Sequence, residues 1–390
     1  MNKKISILNP PSTIGIIGGG QLGRMLTLEA KRMGYNVVVL DPKPNSPAGQ
    51  VADEQITAAF GEVSSLRNLA KKTDVITFEF EHIDVESLKL LEDDGYAIYP
   101  SSRTLKLIQN KFVQKNMLKN IGIKVPEFYL INTLKELTDV FYKFGCKAIL
   151  KTCRDGYDGK GNAVINNICE IEEAYQLFSG LEIMAEEFIR FTKEVSIIVA
   201  KNHDGIVLYP IAENFHKDSI LIKSLIPADI SDEIEKCIHI MSKNIVEELD
   251  DYGVFCIEFF IDSDSNVLVN EIAPRPHNSG HYTIEGCVSS QFEQHIRIIT
   301  GMPLGSTKLR FPCAMYNILG NEHVDGKYSI SGVDAVLDIE ECHFHLYGKL
   351  ESKHLKKIGH ITVLDTTVGR ADSKAKIARE HVKILGNLLR

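Results

Sequence analysis

Glu258 and Glu271 each stand within a run of residues that otherwise belongs in a protein interior, and chemistry starts from that placement. Residues 255–281 read FCIEFFIDSDSNVLVNEIAPRPHNSGH. Apolar runs at 254–261 and 267–272 flank a polar cluster at 262–266, the pattern of a β-hairpin with a short loop. Folding the strands about Asp264 sets Glu258 almost opposite Asn270 and Glu271. A buried, unpaired carboxylate is too costly to keep, so an inward-facing pair calls for a cation. Carboxylate and amide oxygens, with no thiolate or imidazole in the cluster, favour a hard ion such as Mg²⁺, which usually holds substrate phosphates as well. The competing reading is a solvent-facing strand whose acids merely alternate outward. Arg275, Pro276, His277, Asn278, Ser279, Gly280 and His281 follow directly, a dense set of anion-binding donors. Metal carboxylates running into anion ligands point to phosphate chemistry.

Two glycine-rich segments bear on the same chemistry. Residues 154–162, RDGYDGKGN, follow an expected strand at 147–152. Gly156, Gly159 and Gly161 make a hairpin loop with exposed N–H groups, able to fold over a triphosphate. Lys151 at the strand end and Lys111 in an earlier helical segment are each placed to meet phosphates as point charges. A solvated turn is the bland alternative, and no Walker sequence occurs. The other segment, Gly18-x-Gly20-x-x-Gly23 with Asp41 downstream, matches a dinucleotide fingerprint and by itself suggests an NAD enzyme. Physically it says only that N–H groups at a helix start can approach a phosphate or another polar group. A tight turn packing helix on strand fits equally, and Asp41-Pro42 reads more as a turn than as a ribose clamp. Residues 183–189, IMAEEFI, form an apolar strand running into Glu186 and Glu187. Such a linker strand can offer main-chain groups to an adenine edge and a carboxylate to a ribose. Glu194 is a further polar intrusion into a strand; singly, each of these acids reads as a surface residue.

The elements that must position these groups fall into three blocks. A strand at Thr13–Ile17, a helix to Met33 closed by Gly34, and strands at 37–40, 75–78 and 97–99 with a helix at 85–91 make a parallel, three-layered α/β pattern. Ser102 is expected to cap the next helical segments. From Pro126 to about Ile299, strands mix with longer helices such as 230–249, an α+β block with antiparallel hairpins. Beyond Pro303 the segments are short and β-rich, with a final helix expected from Ser373 to Leu389. The expected domains are therefore 1–101, 102–302 and 303–390.

Composition bounds the classes. The 390 residues are 25% charged and 44% hydrophobic, as in soluble globular proteins, and the length suits two or three domains. A net charge of −8 argues against nucleic acid as the main partner. The 8 cysteines are scattered singly with no CxxC pair, and read as reduced thiols of a cytoplasmic protein. No apolar run approaches the roughly 20 residues of a membrane span, and the N-terminal stretch is too short for a signal peptide.

Taken together, Lys111, Lys151, the 156–162 loop, Glu186 to Ile189, Glu194, His216, Glu258, Asn270 and Glu271 resemble the ATP-grasp superfamily. Within it, GGGQLGRM at 18–25, FEFEHID at 78–84, GYDGKGN at 156–162 and NEIAPRPHNSGH at 270–281 resemble the N5-carboxyaminoimidazole ribonucleotide synthetases, over essentially the whole chain. The resemblance implies an ATP-grasp fold: an N-terminal Rossmann-like parallel-sheet domain, a central ATP-grasp domain and a small β-rich C-terminal domain. It implies a ligase that uses ATP and bicarbonate, through carboxyphosphate, to carboxylate 5-aminoimidazole ribonucleotide in purine synthesis. ATP would contact Lys111, Lys151, Gly156, Tyr157, Asp158, Gly159, Lys160, Gly161, Asn162, Glu186, Glu187, Phe188, Ile189, Glu194, His216, Asn270 and Glu271. Glu258 and Glu271 would hold Mg²⁺, with Mn²⁺ as a substitute. Arg275, His277, Asn278 and Lys356 would take catalytic roles, the first three by positioning bicarbonate. Glu79, Tyr157, Lys160, Lys349 and Lys356 would contact the aminoimidazole ribonucleotide. At 160 and 356 many relatives carry Arg, so a point charge replaces a planar fork there. Carboxyphosphate is labile in water, and the 156–161 loop is expected to close over it. A homodimer and hand-off to the following mutase are also implied.

Other readings keep the fold and change the acceptor, as in formyl phosphate transfer to glycinamide ribonucleotide or biotin carboxylation. Others change class, to an NAD-dependent oxidoreductase built on 18–23 or a catalytically silent nucleotide-binding regulator.

Overall fold

The computed structural model describes residues 5–154, 156 and 161–386. Strands Thr13–Ile17, Asn36–Asp41 and Val75–Phe78 are mostly apolar and largely buried, which suits a parallel sheet covered on both faces. Helix Gln21–Arg32 returns the chain between the first two. The sheet runs Glu54–Thr57, Asn36–Asp41, Thr13–Ile17, Val75–Phe78, all parallel. The edge strand Glu54–Thr57 carries no apolar run and is held by pairing with Asn36–Asp41 and the packing of Ile56, which is why sequence patterning passes over it. The strand expected at 97–99 contracts to one parallel bridge between Ile76 and Ile98. The expected cap also moves by one residue. Ser101 Oγ accepts from the Thr104 amide at 3.4 Å, while Ser102 opens helix Ser102–Gln109 with its hydroxyl on Glu92.

A nine-stranded sheet dominates the described residues. The predicted hairpin, Gly253–Asp262 with Val267–Ala273, forms one edge. Phe191–Asn202, Ala212–Lys217 and Ile220–Ile226 follow, and then Cys313–Leu319, Lys357–Leu364 and Cys342–Leu346 from beyond residue 302, while Gly205–Leu208 pairs with Phe191–Asn202 off this path. Helix Asp232–Leu249 buries Ile238, Ile245 and Val246 against Val195, Ile197, Phe255 and Phe259 of this sheet. A smaller antiparallel sheet comprises Phe128–Ile131, Ile183–Glu187, Ala148–Thr152 and Asn162–Ile165. Helix Lys111–Asn120, capped by Asn110 through the Val113 amide, has ion pairs to residues of both sheets.

The last helix is Val368–His381, not 373–389. Its buried stripe is Ala371, Ala375 and Ala378, a weak apolar signal, and Thr367 caps it. The chain then enters strand Lys383–Gly386, which pairs with Tyr328–Ser331. That pairing is long-range, so local helical spacing does not foresee it. Among the described residues no helix is long and apolar enough to cross a membrane.

The first turn constrains the N-terminal sheet tightly. A Cβ on Gly23 would lie 2.5 Å from the Gly18 carbonyl oxygen, a backbone atom with nowhere to move. Gly23→Ala is predicted to cost about 1–3 kcal/mol as overpacking, read as a fall of a few degrees in thermal midpoint. Gly61→Ala, where an added Cβ meets nothing within 4 Å, is predicted to leave the midpoint unchanged.

Candidate active site

Glu258 and Glu271 face each other as a registered pair, with a bulge immediately beyond them. The next pairing is Phe259 with Val269, so Asn270 is the extra residue. A bulge of this kind re-aims the side chains beside it. Its carbonyl is not wasted: Lys115 Nζ donates to Asn270 O at 3.1 Å. Gln114 adds a second stitch, accepting from the Ile272 amide at 3.0 Å. The hairpin is thus fastened to helix Lys111–Asn120, whose Lys111 makes an ion pair with Glu271.

The carboxylate pair is electrostatically unequal. Burial, then the charges of Glu271 and Glu194, push the Glu258 carboxyl up to about 8. The Lys111 ammonium, against burial, holds Glu271 down at about 2. Glu271 has a direct ion pair, whereas the His216 and Lys111 charges only partly offset what raises Glu258, so a further cation would favour ionisation of both. The oxygens of the two carboxylates suit a hard divalent ion. Glu194 in turn holds His216, with Nδ1 to Oε2 at 2.7 Å. Burial alone would lower His216, but the bond to Glu194 outweighs it and raises the imidazole.

A second ion centre lies deeper. Glu186 is 1% exposed and takes Lys115 at 2.8 Å and Lys151 at 2.6 Å. Burial would raise its carboxyl, yet the two ammoniums hold it low. Burial pushes the Lys115 ammonium down in spite of Glu186. Lys115 escapes sequence reading because lysine is almost never fully buried unless paired; its position four residues after Lys111, on the same helix face, is the signal that could have found it.

On the anion side, Arg275 is paired with Glu81 at 2.7 Å, while its buried Nε has no hydrogen-bond partner among the described residues. Asn278 and Asn317 exchange amide hydrogen bonds. A buried relay orients His277. Ser224 Oγ donates to Asn214 Oδ1 at 2.7 Å, Asn214 Nδ2 to Ser196 Oγ at 2.8 Å, and Ser196 Oγ to Ser279 Oγ at 2.8 Å. Ser279 then turns its own hydroxyl proton toward His277 Nδ1, 2.9 Å away. The Ser279 amide, which can only donate, points at the same nitrogen from 3.4 Å. Nδ1 is therefore the acceptor and Nε2 carries the proton, 3.7 Å from Glu258 Oε1. Burial and the nearby Arg275 charge keep this imidazole neutral, well below its ordinary value.

The Gly18–Gly23 turn is already filled. Glu79 accepts from Gly20 at 2.7 Å and Gly23 at 2.9 Å, and Asp41 accepts from Gly19 at 2.8 Å. The chain's own carboxylates take the donors a dinucleotide would need, which overturns the NAD reading. Burial raises the Glu79 carboxyl despite the two amides.

Lys111, Glu271, Arg275, His277, Asn278 and Glu79 line one cleft of about 570 Å³. Gly156 and Lys357 also line it, and Lys357 is a residue sequence reading missed. Glu258, Asn270, Lys151, Gly161, Asn162, Glu186, Glu194 and His216 lie outside its lining, as do Glu187, Phe188, Ile189, Lys349 and Lys356. The Glu187 amide bonds Glu127 O at 2.8 Å, and Phe188 lies beneath the Lys147 ammonium at 3.6 Å. Lys349 sits 5.8 Å from the Tyr347 ring, and Lys356 donates to Glu351 O at 2.7 Å. Gly161 has φ +81°, and Asn162 pairs with Lys151. Tyr157, Asp158, Gly159 and Lys160 fall outside the described residues. Another groove of about 580 Å³, beside Ile123, Cys237 and Met241, gathers none of these groups.

Comparison with known proteins agrees with this geometry. The ATP-grasp domain family matches residues 116–292, the ribonucleotide synthetase preATP-grasp domain family 12–109, and the phosphoribosylaminoimidazole carboxylase C-terminal domain family 313–374. The chain is 41% identical to N5-carboxyaminoimidazole ribonucleotide synthase of Bacillus subtilis (strain 168), over 92% of this chain and 93% of that protein. Its structure resembles the Thermotoga maritima N5-carboxyaminoimidazole ribonucleotide synthetase, with TM-score 0.88 and 46% identity, covering 96% of this chain and 100% of the other. It also resembles the Aspergillus clavatus N5-carboxyaminoimidazole synthase in complex with ADP and 5-aminoimidazole ribonucleotide, with TM-score 0.87 and 35% identity over 95% and 98% of the two chains.

Two predictions follow from the charges. A carboxyl raised to about 8 in the fold stabilises while protonated, and that contribution is lost as pH rises from its ordinary 4.5 through 8. Without added divalent cations, thermal stability should fall between about pH 5 and 8 in the parent and fall less in Glu258→Gln; identical profiles would contradict this. Glu186→Gln leaves two buried ammoniums without a counter-charge, and denaturant unfolding should show a loss of about 3–5 kcal/mol.

Proposed function

This chain belongs to the N5-carboxyaminoimidazole ribonucleotide synthase family, and from that premise we propose how its cleft divides the work. The reaction is the ATP-dependent carboxylation of 5-aminoimidazole ribonucleotide to N5-carboxyaminoimidazole ribonucleotide in purine biosynthesis, carried out by an ATP-grasp ligase. The observation that carries the assignment of roles is the meeting of the carboxylate hairpin and the 275–278 anion run in one cleft.

Glu258 and Glu271 would hold Mg²⁺, or Mn²⁺ in its place. Bound there, the ion would offset charge on the transferred phosphoryl group. Lys111 then exchanges Glu271 for phosphate oxygens, and Lys151 adds a second point charge. The 183–189 strand and its continuation serve the adenine, with Glu194 and His216 toward the ribose. Arg275 and Asn278 grip bicarbonate, a planar anion suited to a guanidinium fork. Its oxygen attacks the γ-phosphorus as the bond to ADP breaks, forming carboxyphosphate. His277 Nε2–H donates to a developing oxygen charge. The amine of the ribonucleotide then bonds to the carboxyl carbon as the C–O bond to phosphate breaks, and the departing phosphate takes the amine's proton. Glu79, Tyr157, Lys160, Lys349 and Lys356 attend the ribonucleotide, and Lys357 joins them from the cleft wall. Family membership supports a homodimer, a cytoplasmic setting, hand-off to the following mutase, and the domain division at residues 101 and 302.

A coupled assay of ADP release tests this. Turnover should require bicarbonate and rise strongly with 5-aminoimidazole ribonucleotide; release indifferent to that acceptor would sink the assignment. Glu271→Gln should lower kcat by roughly 10²-fold with the fold retained by circular dichroism. Arg275→Lys should chiefly raise the KM for bicarbonate, because a point charge replaces the fork.

A further inference from the structure

The all-oxygen metal cluster expected from the hairpin is incomplete. The strand that carries Glu258 also carries Cys256, two residues earlier and on the same face. His277 comes down on that face from the loop after the second strand. Ligand atoms of Cys256, Glu258 and His277 all lie within 4.8 Å of one another. We propose that these three side chains form a second, mutually exclusive metal site that takes a thiophilic divalent cation such as Zn²⁺ and thereby shuts off the enzyme.

The geometry suits a tetrahedral ion with three protein ligands and one open position. Bonds of about 2.0–2.3 Å place tetrahedral ligand atoms about 3.3–3.8 Å apart, and His277 Nε2 and Glu258 Oε1 are already 3.7 Å apart. On the neighbouring strands Ile198 and Ala273 flank Cys256, and Ser196 and Glu271 flank Glu258. Ser279 supplies the outer shell that such sites need. Its Oγ is 2.9 Å from His277 Nδ1 and 3.7 Å from Cys256 Sγ. When Nε2 gives its lone pair to the metal, the imidazole proton moves to Nδ1 and donates to Ser279 Oγ. The serine proton is then free to turn toward the thiolate; Cys256 is itself fully buried, so its proton leaves only as the metal takes its place. Glu271 and Glu194 add negative charge nearby, while the opposing Arg275 charge is partly offset by Glu81.

Softness separates the two metals. Mg²⁺ prefers oxygen and gains nothing from Cys256, whereas thiolate and imidazole select Zn²⁺ and Co²⁺. Zn²⁺ here takes Glu258 from the Mg²⁺ pair and His277 from bicarbonate. That consequence rests on the roles proposed above; binding itself does not.

Co²⁺ titration of the full chain gives the direct readout. The parent should show a near-ultraviolet thiolate-to-cobalt band saturating at one equivalent, absent in Cys256→Ser and Cys256→Ala. Zn²⁺ affinity should fall more than about 100-fold in both variants, since even outer-shell partners are worth about 10–100-fold. Zn²⁺ at excess Mg²⁺ should inhibit the parent, with a midpoint shifted by a similar factor in the variants, whose turnover with Mg²⁺ alone stays at the parent level. No thiolate band in the parent, or a band and inhibition unchanged in both variants, would overturn the site. A Cys256-dependent band without inhibition would support the site and overturn the roles given to Glu258 and His277.

Discussion

The site rests on two carboxylates facing each other across a bulged hairpin, one of which holds an ammonium. Glu271 has Lys111, while burial and like charge outweigh His216 and Lys111 at Glu258 and raise its carboxyl. A raised carboxyl favours keeping its proton, and a divalent cation would replace that proton. The bulge at Asn270 is the structural device behind it. Without the extra residue the strand would run in simple register, and Lys115 would have no projecting carbonyl to hold.

The neighbouring centre explains why the site can be so charged yet fixed. Lys115, Glu186 and Lys151 join the helix at 111–120 to the smaller sheet, while Gln114 and Lys115 join the same helix to the hairpin. A buried ion cluster is weak evidence for stability but strong evidence for position, since removing one member strands the others. Behind His277, the line of Ser224, Asn214, Ser196 and Ser279 does the same for a proton, settling which ring nitrogen faces the cleft. Charge and proton placement are thus set in part by residues given no substrate contact, such as Lys115, Asn214 and Ser224.

Much of this was legible from the chain alone. The hairpin announced itself through apolar runs and a polar turn, and the parallel N-terminal sheet through its apolar strands. What stayed hidden was non-local. The bulge shifts register by one residue, which no propensity records. Glu79 fills a turn 56 to 59 residues away in sequence, so a dinucleotide fingerprint looked open when its donors were taken. The closing strand Lys383–Gly386 owes its form to Tyr328–Ser331, and read locally as more helix. Cys256 was passed over as one more apolar residue of a core strand, because only the fold brings His277 over it.

The central claim is that a divalent cation completes the Glu258–Glu271 pair and releases Lys111. A crystal structure with ADP and Mn²⁺, using the manganese anomalous signal, tests it directly. The account predicts a manganese peak within bonding distance of both carboxylates, with Lys111 turned from Glu271 to a phosphate oxygen. A peak elsewhere, or an intact Lys111–Glu271 pair beside bound nucleotide and metal, would contradict it.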